Sequence, residues 1–167
     1  MRLKFPIIMV IALVALAMTF TISASENHNW RLVGKAKLKV LFWDIYQAEL
    51  STPSGTYQGI EGPLKLHLTY FIDIDAQELA KETENQWQEI DNPQFIKDLE
   101  SIFPDLVEDD TLTMKLNADG TATLLHNNEF RHHFEASEQV DKFLAIWLSP
   151  QTTRPELRKI LIGKNAR

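Results

Sequence analysis

Histidines, a carboxylate run and several tryptophans are the residues of this chain whose types could do chemistry. His126, His132 and His133 lie close enough in sequence to suggest a metal, yet they lack the carboxylate and spacing support of a zinc motif. Neighbours on an alternating segment point to opposite faces, so His132 and His133 do not share one. Glu108-Asp109-Asp110 offers oxygen ligands but no glycine-turn loop for calcium, and reads as a solvated strand entry. No metal site is assigned. Trp87, Phe143 and Trp147 recur at helical spacing, which favours a core position over a pocket wall. There is no Ser-His-Asp elbow, phosphate loop or dinucleotide fingerprint, so no catalytic residue and no cofactor is assigned.

The hydrophobic period says which elements would position such residues. From Leu64 to Ile74 the apolar residues alternate with Lys65, His67, Thr69 and Asp73, the pattern of a half-buried strand. Thr111 to Leu116 repeats it. Asn117-Ala118-Asp119-Gly120 then turns the chain into Thr121–His126, because glycine accepts positive φ. Phe130, His132 and Phe134 continue the alternation as a third short strand. Arg31 to Leu50 is rich in strand formers, but Val40-Leu41-Phe42-Trp43 breaks the alternation. A bulge, a tight turn or a strand buried on both faces would each account for that. Asp75 with Glu78 forms a capping box before Leu79, Thr83, Trp87 and Ile90. Asn92-Pro93 opens a second helix through Phe95, Ile96, Leu99 and Ile102. Ser137 precedes Val140, Phe143, Leu144, Trp147 and Leu148, and Thr153 opens a last short helix stopped by Gly163. The order predicts an α+β fold, with helices packed on one face of an antiparallel sheet.

Arg2 and Lys4, the apolar run from Phe5 to Ile22 and the small residues Ser23-Ala24-Ser25 follow the order of a secretory signal. Residues 1–25 are therefore expected to be a cleavable signal peptide, leaving residues 26–167 as one domain, periplasmic or secreted. A retained anchor is the rival reading, since about 17–25 apolar residues span a bilayer. Without Arg2 and Lys4, the chain keeps 15 of its 17 basic residues against 23 acidic ones, a net charge of −8. An acidic domain without a basic stripe is a poor partner for nucleic acid, and no membrane insertion is expected once the signal is removed. The chain has no cysteine, so packing alone must hold it together.

Two separated segments resemble chalcone isomerase-like proteins. The first runs Gly34-Lys35-Ala36-Lys37-Leu38-Lys39 through Ile45-Tyr46-Gln47-Ala48-Glu49-Leu50. It is similar to the family's glycine-led strand with a basic residue, followed by aromatic-Tyr-x-Ala-x-Leu. The second runs Phe143-Leu144-Ala145-Ile146-Trp147-Leu148, then Leu157-Arg158 and Leu161-Ile162-Gly163. It resembles the family's closing aromatic helix and its Leu-Leu-Gly end. Asp109 to Thr113 and Gly120-Thr121 sit where the family places its central hairpin, so the likeness spans residues 26–167.

The resemblance implies an open-faced antiparallel sheet covered by helices. It also implies a site where a basic residue and a hydroxyl meet an apolar ligand. In the enzymes an arginine and a threonine serve the ring closure of a chalcone. In the fatty-acid-binding branch an arginine and a tyrosine hold a carboxylate. Tyr46 falls at the threonine/tyrosine place, and Lys37 or Lys39 at the basic place, so Lys37, Lys39 and Tyr46 are the expected ligand-binding residues. Read from the residues alone, Tyr46 is equally a core tyrosine, and the two lysines are solvated strand residues. On a straight strand Lys39 and Tyr46 would face opposite ways, so their convergence requires a turn or bulge across Leu41–Trp43. Three functions stay open: a non-catalytic domain binding a fatty-acid-like or other amphipathic molecule, a structural or partner-binding envelope protein, and an isomerase.

Overall fold

Alternating side chains build one sheet. The computed structural model describes residues 29–86 and 93–164. Its strands are β1 (Arg31–Val40), β2 (Trp43–Thr52), β3 (Leu64–Tyr70), β4 (Thr111–Leu116), β5 (Ala122–His126) and β6 (Glu129–Phe134). They lie in sequence order, each antiparallel to its neighbours, as one meander. Leu64, Leu66, Leu68 and Tyr70 are buried while Lys65, His67 and Thr69 are only partly so, as a strand covered mainly on one face requires. The apolar alternation outruns the ladder here. β3 stops at Tyr70, and Ile74 makes only an isolated bridge to Leu106.

The helices described are α1 (Ala76–Gln86), α2 (Pro93–Ile102), α3 (Glu138–Leu148) and α4 (Pro155–Leu161). Asp75 caps α1 by accepting the Glu78 backbone N–H at 2.7 Å. The expected residues Trp87, Ile90 and Asn92, the apolar run of residues 5–22 and the processing site all lie outside the described residues. α3 sets Val140, Phe143, Leu144, Trp147 and Leu148 into the core, the stripe that its 3–4 spacing predicts. α4 starts at Pro155 rather than Thr153, because proline suits the first helical turn, where its missing N–H costs nothing. The fold is thus α+β, an open antiparallel sheet with helices against one face.

α4 lies along β1. A side chain at Gly34 would collide with the Ile160 carbonyl and stand 2.5 Å from that of Leu161, so the two backbones meet there only because position 34 lacks a Cβ. The opposite sheet face is polar. Lys35 pairs with Glu49 at 2.8 Å, and His67 Nδ1 lies 2.7 Å from the Thr113 hydroxyl, with burial holding the imidazole below its usual range.

Candidate functional site

Between the inner sheet face and α1 and α3 lies a cavity of about 300 Å³. Its walls are apolar: Leu66, Leu68, Met114 and Leu124 from the sheet, Leu79 from α1 and Phe143 from α3. Polar groups enter at few points. Tyr46 and Tyr70 come from the adjacent strands β2 and β3, where they are direct cross-strand partners with ring centroids 5.7 Å apart. Trp147 comes from the last turn of α3, and Arg154 from the connection between α3 and α4. Glu78 and Glu82 join from the exposed side of α1.

The Trp147 Nε1–H donates to the Tyr46 hydroxyl at 2.9 Å, in a buried hydrogen bond. Removal from water disfavours the phenolate, so burial pushes Tyr46 up to about 12, against smaller opposing effects of Trp147 and Arg154. Tyr70 is pushed up in the same way, by burial first and then by Tyr46. Both phenols therefore stay neutral donors near pH 7. Tyr46 uses an acceptor lone pair for Trp147, and its own O–H has no acceptor among the described residues. The Tyr70 hydroxyl has no partner among them either. Since no sealed side-chain oxygen or nitrogen among the described residues lacks a partner, the Tyr70 oxygen borders the open cavity space.

Lys37 and Lys39 are elsewhere. In an antiparallel pair, directly opposed residues share a face. Leu38 opposes Tyr46, so those two look inward, while Lys37 opposes Gln47 and Lys39 opposes Asp44 on the outer face. Asp44 takes both lysines, Lys37 Nζ at 2.7 Å and Lys39 Nζ at 3.1 Å. The Lys37 hydrogen bond, then that of Lys39, holds the Asp44 carboxyl below its usual range. Lys37 also lies over the Phe71 ring, 4.9 Å from its centroid. The tight turn at Leu41-Phe42 closes the β1–β2 hairpin, and a register shift between Leu38 and Lys39 turns Asp44 away from the face of Tyr46, so the lysines and Tyr46 stay on opposite faces. Lys39 and Tyr46, expected together as ligand-binding residues, do not converge. Among the described residues, the cation that lines the cavity with Tyr46 is Arg154, whose only sign in the sequence is its place directly before a helix-opening proline.

The remaining candidates have ordinary partners. His126 Nε2 is 3.1 Å from Asp110, and Asn127, then the Val107 backbone N–H, hold that carboxyl below its usual range. The His132 ring stands edge-on to Phe134 with centroids 4.6 Å apart, and His133 is 3.9 Å from Glu135. Phe143 and Trp147 are both core residues and cavity walls. The two segments that carried the resemblance meet in space twice, at Tyr46 with Trp147 and at Gly34 with Leu161.

No family model matches the chain. An uncharacterised protein of Haemophilus influenzae is 29% identical over 153 residues, covering 89% of this chain and 75% of that one. Among solved structures, a fatty-acid binding protein of Arabidopsis thaliana superposes with a TM-score of 0.59 at 11% identity, over 80% of this chain and 87% of its own. At that identity the likeness is one of fold: this chain has the chalcone isomerase-like sheet-and-helix architecture.

Proposed function

We propose that this protein is an exported, non-catalytic binding domain for one amphipathic molecule, whose apolar chain lies between the sheet and α1 and α3. The observation that carries the reading is the apolar cavity with the Tyr46 and Tyr70 hydroxyls and the Arg154 guanidinium among its few polar groups. All three are donors, so the complementary head group is an acceptor, a carboxylate or a carbonyl. Glu78 and Glu82 stand at the exposed side, where water screens them, whereas the phenols act from the apolar interior. A volume of about 300 Å³ is at the small end of ligand pockets and suits a short or medium chain better than a long or polycyclic one. Burial of that chain would supply most of the affinity, at roughly 25 cal/mol per Å². The head-group hydrogen bonds would add about 1.5–3 kcal/mol and set the orientation. The ligand class of the Arabidopsis structural neighbour supports the same reading.

Native mass spectrometry of gently purified protein, before and after organic extraction, tests this, followed by titration with a graded series of fatty acids. The expected result is one extractable adduct and saturable binding with a chain-length optimum. Absence of both an adduct and binding at high micromolar acid would remove the proposal.

A further inference from the structure

The β1–β2 hairpin ends in its least polar residues. Val40, Leu41, Phe42 and Trp43 are 42%, 87%, 96% and 71% exposed. Leu41 holds φ at 56°, a conformation that glycine or asparagine adopts more easily. A large apolar residue is thus kept at a strained turn position, with no burial among the described residues to offset the strain. The tip also projects. β2 pairs with β3 only from Tyr46 onward, and the Phe71 N–H reaches the Ile45 carbonyl as the last bond between them. Trp43 and Asp44 pair with β1 alone, so the tip stands beyond the rest of the sheet by roughly two residues, or about 7 Å plus the turn.

We propose that the Val40–Trp43 tip inserts into the headgroup–acyl boundary of a lipid bilayer and docks the protein with the Val40–Ile45 wall of the cavity near the membrane. The four side chains present roughly 500–600 Å², less than the ~800 Å² per partner that a stable protein interface needs, so a second copy gains too little there. A bilayer needs no complementary surface and accepts a projecting apolar point. Tryptophan favours the interfacial level. Lys37 and Lys39 share the single carboxylate of Asp44 just behind the tip, which leaves one excess positive charge at the depth of the lipid phosphates. This departs from the expectation of no membrane insertion drawn from the acidic charge: exposed charges beyond about 8–10 Å are screened, so the net charge of −6 for the whole chain does not decide against an apolar tip. No helix among the described residues is long and apolar enough to cross a membrane, so attachment by this part of the chain is interfacial. Val40 and Ile45 belong to both hairpin and cavity wall, which places the apolar tip beside the cavity. Docking requires no bound ligand and so stands apart from the binding reading.

The chain has no cysteine, so Phe42→Cys can carry a single environment-sensitive nitrobenzoxadiazole label, with Gln58→Cys, an exposed position in the connection between β2 and β3, as the control. Vesicles are phosphatidylcholine with and without phosphatidylglycerol, free of fatty acid, so the result is independent of the cargo. The label at position 42 should shift to the blue on adding vesicles and be quenched by shallow spin-labelled lipid, while the label at 58 does neither. Adding Leu41→Asp and Trp43→Asp should weaken the response at position 42 by roughly tenfold or more, with circular dichroism unchanged. The comparison holds whether or not residues 1–25 remain attached, because it is between two positions of the same chain. A position-42 label indifferent to vesicles overturns the proposal, as does an equal shift at both positions. A tip label already shielded before lipid is added, by a second copy or another segment of the chain, overturns it as well.

Discussion

Trp147 donates its indole N–H to the hydroxyl of Tyr46 across 101 residues of sequence, and this bond ties the last turn of α3 to β2 at the cavity wall. Because Tyr46 is the acceptor, its own proton remains free for a ligand. Tyr46→Phe strands a buried indole donor, so we expect it to destabilise the fold by about 1–3 kcal/mol. Tyr70→Phe removes a hydroxyl without a partner among the described residues and should cost less. Chemical denaturation of both variants checks the order. Equal losses would show that the 2.9 Å bond contributes nothing distinctive.

Ligand binding should separate the basic residues by face. Arg154→Gln is expected to weaken acid binding by about tenfold, equivalent to about 1.4 kcal/mol, and to leave the uncharged alcohol analogue nearly unaffected. Lys37→Gln and Lys39→Gln lie on the other face with Asp44 and should bind acid as the parent does. Titration calorimetry with a matched acid and alcohol distinguishes the two outcomes. A lysine variant that loses acid binding while Arg154→Gln keeps it would reverse the assignment.

High pH should unfold the protein through its tyrosines. Tyr46 ionises near 10 in the unfolded chain and near 12 in the fold. A folded pKa raised in this way makes a contribution that is complete below pH 10 and is lost as pH climbs to 12, about 2–3 kcal/mol in all. Tyr70 acts in the same direction. Stability measured from pH 8 upward should therefore fall steeply past 10, and Tyr46→Phe should flatten that slope whatever it does to the neutral-pH value. An unchanged slope in the variant would place the alkaline sensitivity elsewhere.

Gly34→Ala should loosen α4 from β1, since the new methyl meets the backbone carbonyls of Ile160 and Leu161 and no rotamer change relieves backbone. We expect a loss of about 1–3 kcal/mol, with amide exchange rising first in residues 155–161. Ala36→Gly on the same strand lacks that signature and serves as the control for strand propensity.

Processing is the simplest measurement. Intact mass of protein recovered from cells expressing the whole chain should place the new N-terminus near Ser25 or Glu26. A full-length mass confined to the membrane pellet would replace the signal-peptide proposal with an anchor.

The element plan could be read from residues near one another in sequence. Period-two alternation marks Leu64–Ile74 and Thr111–Leu116 as strands with one buried face, although the first pairs only as far as Tyr70. Asn117 to Gly120 marks the reversal from Thr111–Leu116 into the next strand, with Gly120 at φ 84°. The spacing of Val140, Phe143, Leu144 and Trp147 marks a helix that covers the sheet. Burial of one face imposes these periods locally, so they survive in the bare sequence and specify an α+β protein. The resemblance picked out Tyr46, but not its partners. Whether Lys39 or Arg154 shares a cavity with that hydroxyl depends on the turn at Leu41-Phe42, on the register that sets Leu38 against Tyr46, and on where the chain leaves α3. No local period carries that information, because a side chain's face is fixed by its own strand while its neighbours come from strands and helices far along the chain. Tertiary packing alone put Trp147 and Arg154 beside Tyr46 and left the lysines with Asp44 on the far side of the sheet.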